Sequence, residues 1–497
     1  MHSRVWRAAD SHPHFIGLDL GTSGLKGVAI NEHGLVVARG QASYPTHRPE
    51  VGASEQTPAD WMQAVREVVQ QLDDQQPSDS WAGIGLSGMI PTLVCIDNFG
   101  EAVGRSITWE DSRAEEFGDR LRDSFGAKKL YDITGQWVDG RYLLPMWQRL
   151  CDIDLEVAAS TTRIASAKDY VLEKLTGVFL TDPSTATGFG CFDLLNNSWS
   201  ESVISAADVT VSLPEIAPSN ACYPLTQAAA HVLGLPHGLP VFVGAADSVL
   251  GALGMGATHL GDIAYVAGTS TVIMGMSDSI PSDESHRFIV TPMAHGGLWG
   301  LEMDLLSTGG AISWMSELLN FETVSDAMQE ASQIHATEAP TFLPYVSPGE
   351  QGALWDPSLT GAMVGMNVTH TRGHFMRALI NGIVNESKRC VEVLKEFGCT
   401  TGTITVAGGS ALSPWFRQEL ADATRCNVVA PIDGDSDYSA IGAALLVLEQ
   451  RIESSEQTTE HYASAANTTT ISPKSSTMWD ELFARHEQVR LSLHGSE

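Results

Sequence analysis

The chain has 497 residues, 43% hydrophobic and 18% charged, a globular profile that excludes disorder as its main state and allows two large domains. Its 29 basic and 60 acidic residues leave a formal net charge of −31, which would repel nucleic-acid phosphates or an anionic membrane and excludes both as expected partners. The seven cysteines are scattered and contain no C-x-x-C pair, which excludes a disulfide framework and a zinc ribbon and fits reduced thiols in a cytoplasm.

The opening 1–13 lacks the apolar run of a secretory signal and is expected to be a loose extension. Residues 15–40 read as three short strands, FIGLDL, LKGVAI and LVVARG, joined by turns at Gly21-Thr22-Ser23-Gly24 and Asn31-Glu32-His33-Gly34. A β-meander therefore opens a domain. Thr57 and Pro58 supply an N-cap and a first helical residue, and Trp61, Val65, Val68, Val69 and Leu72 recur at helical spacing, predicting a helix that covers the sheet. Residues 81–87 and 92–97 are strand-like, 114–159 helical with interruptions, and 167–175 a helix closed by Gly177.

After the loop LPHGLP, residues 241–246 (VFVGAA) form an apolar strand ending at Asp247, and the domain division is expected there, giving domains 14–240 and 241–497. Residues 263–276 then repeat the opening grammar: the strand IAYVA, the turn Gly268-Thr269-Ser270, and a second apolar strand. The repetition suggests a duplicated domain with a cleft between the halves. Residues 403–407 read as a strand, Gly408-Gly409-Ser410 as a turn and 414–424 as a helix; 453–476, rich in Ser and Thr, is expected to be poorly ordered before a last helix over 479–493. The least charged region, 241–276, is interrupted by Asp247, His259 and Asp262, so it falls short of the roughly 20 apolar residues that span a bilayer.

A Gly-Thr-Ser turn between strands aims backbone N–H groups and two hydroxyls into one small space, which suits phosphate oxygens, although a single such turn can be only a hairpin. Two of them, with Asp19 just ahead of the first, point to a polyphosphate and a Mg²⁺ held by that carboxylate. Asp247 reads either as an N-cap for a helix over 248–255 or as a general base accepting a hydroxyl proton, and the two roles are compatible. Gly408-Gly409-Ser410 permits close approach of a nucleoside or forms a tight turn. Trp109-Glu110-Asp111-Ser112-Arg113 carries the groups that grip a polyol, or forms an exposed loop. His370 and His374 lack the glutamate of an H-E-x-x-H zinc motif, and there is no G-x-x-x-x-G-K-[ST] loop.

Together these segments resemble the FGGY carbohydrate kinases, of the actin-like ATPase fold, and within them the xylulokinase-like branch. The likeness runs in order from GLDLGTSGLKGVAI (17–30) through ITWEDSRA, SAKDYVLEKLTG, TDPSTATGFGCFD, VFVGAADSVLGALGMG, AGTSTVIM and STGGAISWM to AGGSALSPWFRQELADATRCNVV (407–429). It implies two α/β, ribonuclease H-like domains with a nucleotide and sugar cleft between them, a cytoplasmic location and a homodimer as one expected assembly. By position it assigns Asp247 as catalytic base and substrate contact and Asp19 to the metal. It assigns Gly21, Thr22, Ser23, Lys26, Gly268, Thr269 and Ser270 to the phosphates, and Gly309, Gly310, Gly408, Gly409 and Ser410 to the adenosine. Met89, Trp109, Asp111 and Arg113 are assigned to the sugar.

The implied reaction is transfer of the γ-phosphate of ATP, with Mg²⁺, to a hydroxyl of a pentulose such as D-xylulose. Gluconate, glycerol, erythritol or another polyol is the alternative acceptor, and an actin-like ATPase without a sugar acceptor is the alternative of another class. Two departures bear on the acceptor: Met89-Ile90-Pro91 follows Ser87-Gly88 where xylulokinases show Gln-Met-His, so the histidine expected against a ketose is absent, and apolar residues over 143–147 replace a usual Pro-Lys.

Overall fold

The computed structural model describes residues 12–347, 351–356, 358–400, 402–409, 413–431, 437–453, 468–474 and 477–495. The chain divides into two compact units. The first comprises Met1–Gly256, Val290–Leu298 and Asp437–Ala466, the second Ala257–Ile289, Trp299–Ser436 and Asn467–Glu497.

The principal strands of the first unit are β1 (His14–Leu20), β2 (Gly24–Ile30), β3 (Val36–Ser43), β4 (Glu55–Gln56), β5 (Trp81–Gly88), β6 (Thr92–Ile96), β7 (Ser106–Thr108), β8 (Arg163–Ala165), β9 (Cys222–Pro224) and β10 (Pro240–Ala246). The main sheet has the order β9-β10-β5-β1-β2-β3. The antiparallel meander β1–β2–β3 is the expected one, and β5 and β10 run parallel to β1. A smaller sheet, β4-β7-β6-β8, carries the segment after Thr108.

Alternation along β1 sends Ile16, Leu18 and Leu20 to one face of the sheet. There they meet Trp61, Val65, Val68, Val69 and Leu72 of the helix Pro58–Gln75, the apolar stripe expected of it. Phe15, Gly17 and Asp19 share the other face, which is covered by the helices Asp247–Gly254 and Tyr438–Glu453 through Val249, Leu250, Ala440, Ala443, Ala444 and Val447. Gly17 permits this packing: a Cβ there would lie 1.8 Å from the carbonyl oxygen of Ala440. The division expected at residue 240 is thus displaced. Ladder bonds from β10 to β5 hold β10 in the first sheet, and the chain returns to the same unit with the helix Tyr438–Glu453.

The second unit contains β11 (Ile263–Ala267), β12 (Thr271–Ser277), β13 (Trp299–Leu305), β14 (Thr403–Ala407), β15 (Asn427–Pro431) and β16 (Thr468–Ile471), ordered β13-β12-β11-β14-β15-β16. β11, β12 and β13 pair antiparallel, while β14 and β15 run parallel to β11. This repeats the order and directions of β3-β2-β1-β5-β10, so the repeated turn marks a duplicated fold. β16 lies in the stretch expected to be poorly ordered, whose residues 454–467 and 475–476 fall outside the described ones, as does 1–11 of the expected extension. It forms because Thr468–Ile471 pairs antiparallel with β15.

The last helix, Met478–His494, is joined to the helix Arg372–Glu396 through the fully buried Glu386. Its carboxylate accepts from Tyr345 Oη at 2.7 Å, His486 Nε2 at 2.7 Å and Arg389 Nε at 2.9 Å. Burial alone would raise the pKa of this group, but Arg389 and His486 hold it well below the usual carboxylate range. Among the described residues no helix is long and apolar enough to cross a membrane.

Candidate active site

Strand register brings the first unit's two singled-out acids to one edge. Asp19 on β1 stands level with Ser87 on β5, and Ser87 with Ala245 on β10, two residues before Asp247. Both acids therefore lie at the carboxyl ends of parallel strands with β5 between them, a lateral separation of about 10 Å across two strand spacings. Open α/β sheets bind ligands at that edge.

Asp19 accepts a 2.7 Å hydrogen bond from Ser87 Oγ. Burial pushes its carboxyl above the usual range, against the opposing pull of Ser87 and Lys26. Such a desolvated carboxylate gains from a cation. Among the described residues no group of three or more His, Cys, Asp or Glu could hold a metal ion.

The turn after β1 is fixed from several sides. Gly21 N–H donates to Gly24 O at 3.1 Å, and the Tyr44 hydroxyl donates to Gly21 O. Gln56 Nε2 donates to Thr22 O at 2.6 Å, and Trp109 Nε1 to Thr22 Oγ1 at 3.1 Å. Tyr44 N–H reaches Ser23 O at 3.4 Å. Lys26, expected at the phosphates, forms an ion pair with Asp437 at 3.1 Å.

Of the residues expected against the sugar, Trp109 is half-buried beside the Thr22 turn. Asp111 is 2% exposed and accepts from Ser54 N and from Arg113 Nε and Nη2. Arg113 also binds Glu50 and Glu55, at 2.8 and 2.7 Å. This pair braces the loop that presents Trp109. Met89 differs from expectation: it is 1% exposed and packs into the core, because its apolar side chain continues the buried pattern of β5.

Asp247 is the first residue of the helix Asp247–Gly254, and the capping position belongs to Ala246, one residue earlier than the N-cap reading. Its Oδ1 accepts from Ser248 N at 2.9 Å, and its carbonyl oxygen from Ser439 Oγ at 2.9 Å. A carboxylate at a helix N-terminus is favoured by the helix dipole.

In the second unit a 970 Å³ cavity opens at the corresponding strand ends. Gly268, Thr269, Gly309, Gly310 and Gly409, all singled out in the sequence, line it together. Gly309 starts the helix Gly309–Leu318 against the second turn, where a Cβ would lie 2.1 Å from Gly268 O, and Gly310 N–H donates to Thr269 O at 2.8 Å. Ser270 and Gly408 flank the cavity without lining it, and Ser410 lies outside the described residues. Ile312, Val324, Met328 and Trp415 supply an apolar wall, with Ser325, Gln329 and Ser332 beside it. An apolar wall with a few polar groups and glycine backbone suits a nucleoside. The helix Val324–Ser332 was not singled out in the sequence, although Ser325, Gln329 and Ser332 recur there at helical spacing.

Models of the FGGY family of carbohydrate kinases match the chain twice, the N-terminal domain over residues 14–254 and the C-terminal domain over 263–448. The chain belongs to the FGGY family of carbohydrate kinases. The kinase is 29% identical over 445 residues to a xylulose kinase of Bacillus subtilis (strain 168), covering 87% of each chain. It is 25% identical over 456 residues to a gluconokinase of the same strain, covering 88% of this chain and 87% of that one. The solved xylulose kinase of Rhodospirillum rubrum matches it with a TM-score of 0.89 at 26% identity, over 97% of this chain and 99% of the other. The fold is accordingly the two-domain, actin-like α/β fold of these enzymes. Membership makes the kinase a phosphotransferase that carries phosphate from ATP to an alcohol group of a sugar or polyol.

Proposed function

We propose that this kinase phosphorylates a neutral open-chain sugar, a pentulose such as D-xylulose, with Asp247 as general base. The observation that carries the reading is the placement of Asp19 and Asp247 at one carboxyl edge of the first sheet, flanking β5. Asp247, steadied by Ser248 N–H, accepts the proton of the acceptor hydroxyl as that oxygen bonds to the γ-phosphorus and the bond to the ADP oxygen breaks. Asp19 would hold Mg²⁺, which when bound neutralises phosphate charge. Thr22 and Ser23, on a turn fixed by Gln56, Tyr44 and Trp109, offer donors to phosphate oxygens. The cavity lined by Thr269, Gly309 and Trp415 takes the adenosine.

Charge matching supports a neutral acceptor. Arg113, the cation expected against the sugar, is paired with Asp111, Glu50 and Glu55. An aldonate would bring a carboxylate to groups already satisfied. The similarity to gluconokinases and the replacement of the expected histidine by Pro91 favour gluconate as the second reading.

Initial rates with ATP and a panel of D-xylulose, D-gluconate, glycerol and erythritol test the proposal. We expect kcat/KM for D-xylulose to exceed the others by tenfold or more, and a preference for gluconate would reverse the choice of acceptor. ATP turnover that is indifferent to every acceptor would remove the sugar from the reading.

A further inference from the structure

β10 is irregular just before Asp247. It pairs with β5 through Val241–Ile84 and Phe242–Gly85, then through Ala245–Ser87 and Ala246–Gly88. Two residues of β10, Val243 and Gly244, thus oppose Leu86 alone. This is a β-bulge, which bends a strand and re-aims the residues beyond it. Gly244 has φ +74°, and a Cβ there would lie 1.7 Å from Leu86 O, so the bulge requires glycine.

A buried charged network holds both sides of the bulge. The Val243 carbonyl accepts from Lys168 Nζ at 3.0 Å. The Lys168 side chain is wholly buried, as are those of its partners Asp169 at 2.9 Å and Asp182 at 3.1 Å. Asp182 caps the short helix Pro183–Thr187 by accepting from Ser184 N at 2.9 Å, and it also accepts from the Ser184 hydroxyl. That hydroxyl accepts in turn from Ala246 N at 2.9 Å. Ala246 is the residue before Asp247.

Buried ion pairs seldom add stability over apolar residues of the same volume, and their best-attested use is to enforce one register. Here the register is that of a bulged strand whose next residue is the proposed base. We propose that Ser184 and Lys168 are positioning residues: by pinning Ala246 and Val243 they set where the Asp247 carboxylate stands. The inference rests on the reading of Asp247 as general base.

The test compares Ser184→Ala, Ser184→Cys and Ser184→Thr with Asp247→Asn in the full chain, with the folded fraction taken from thermal melts. A displacement of about 1 Å at a reacting group can cost 10²-fold in rate. We therefore expect Ser184→Ala to lower kcat per folded molecule by about 10- to 100-fold, with KM for ATP and for sugar held within about twofold. Ser184→Thr, which keeps the hydroxyl, restores the rate. Should Ser184→Ala not fold, Ser184→Cys, with a weaker hydrogen-bonding group, carries the same expectation at smaller amplitude. Unchanged kcat per folded molecule in both, with Asp247→Asn inactive, overturns the positioning role and leaves the base in place. Movement of the two KM values in place of kcat overturns it as well. An active Asp247→Asn removes the base itself.

Discussion

The guanidinium of Arg377 lies over the indole of Trp415, 4.8 Å from the ring centroid, and both reach Glu419, Arg377 Nη1 at 2.7 Å and Trp415 Nε1 at 2.8 Å. Arg377 is 2% exposed, so the indole is held by a desolvated cation while it lines the 970 Å³ cavity of the second unit. A ring held this way presents a fixed surface for a base. Aromatic stacking on a base is worth about 1–3 kcal/mol. Trp415→Ala should then raise KM for ATP by roughly 5- to 150-fold while kcat changes little. Trp415→Phe should keep most of the affinity. Initial rates at saturating sugar measure both, and an unchanged KM in the alanine variant would exclude the stacking role.

Loss of a general base costs about 10²- to 10⁴-fold in rate. Asp247→Asn keeps the shape of the side chain and its place at the start of the helix Asp247–Gly254, but cannot take the hydroxyl proton. The expected outcome is a fall in kcat of that size with ADP affinity, measured by calorimetry, close to that of the unaltered kinase.

Gly309 offers a purely steric test of the second turn. A Cβ at this position would stand 2.1 Å from Gly268 O, and no flexible side chain is there to yield. Gly309→Ala must push the helix Gly309–Leu318 away from the Gly268-Thr269 turn, an overpacking of about 1–3 kcal/mol. ADP binding should weaken by tenfold or more, while Gly296→Ala, where nothing lies within 4 Å of the added carbon, leaves it unchanged.

The two hairpins around the Gly-Thr-Ser turns were legible because each is local: alternating apolar residues on both sides of the turn specify a hairpin without help from distant residues, whereas the third strand of the second unit, Trp299–Leu305, was not read. The carboxyl edge shared by Asp19 and Asp247 could be drawn only once β5 was placed between β1 and β10, which depends on parallel pairings across long crossovers. The return of the helix Tyr438–Glu453 to the first sheet was illegible for the same reason. Its apolar run says that it is buried, but not that Ala440 packs on Gly17. Asp111 and Arg113 were legible as a polar cluster, yet the same residue types serve a sugar or an internal ion pair, and burial separates those uses. Lys168, Asp182 and Ser184 stood inside recognised segments without distinction, since the bulge they serve has no pattern in β10 beyond a glycine.

The C-terminal helix is tied down by a charge, so its docking should depend on pH. In the folded chain Glu386 keeps its proton off well below the ordinary glutamate value of 4.5, because Arg389 and His486 outweigh the effect of burial. Once unfolded it titrates in the ordinary way. Below pH 4.5 the unfolded chain therefore binds a proton that the folded chain refuses, and stability falls as pH falls. The contribution is complete above pH 4.5 and is lost progressively on further acidification toward the folded-state value. Removing one partner of a buried pair costs about 3–5 kcal/mol, so Glu386→Gln should be less stable than the unaltered chain by about that much at pH 7. Urea unfolding of both proteins from pH 7 to pH 3.5 should show a constant difference down to about pH 4.5 that then narrows, because only the unaltered chain still has that ionised pair to lose. A difference that stays the same across the whole range would mean that Glu386 is not held as an anion between Arg389 and His486.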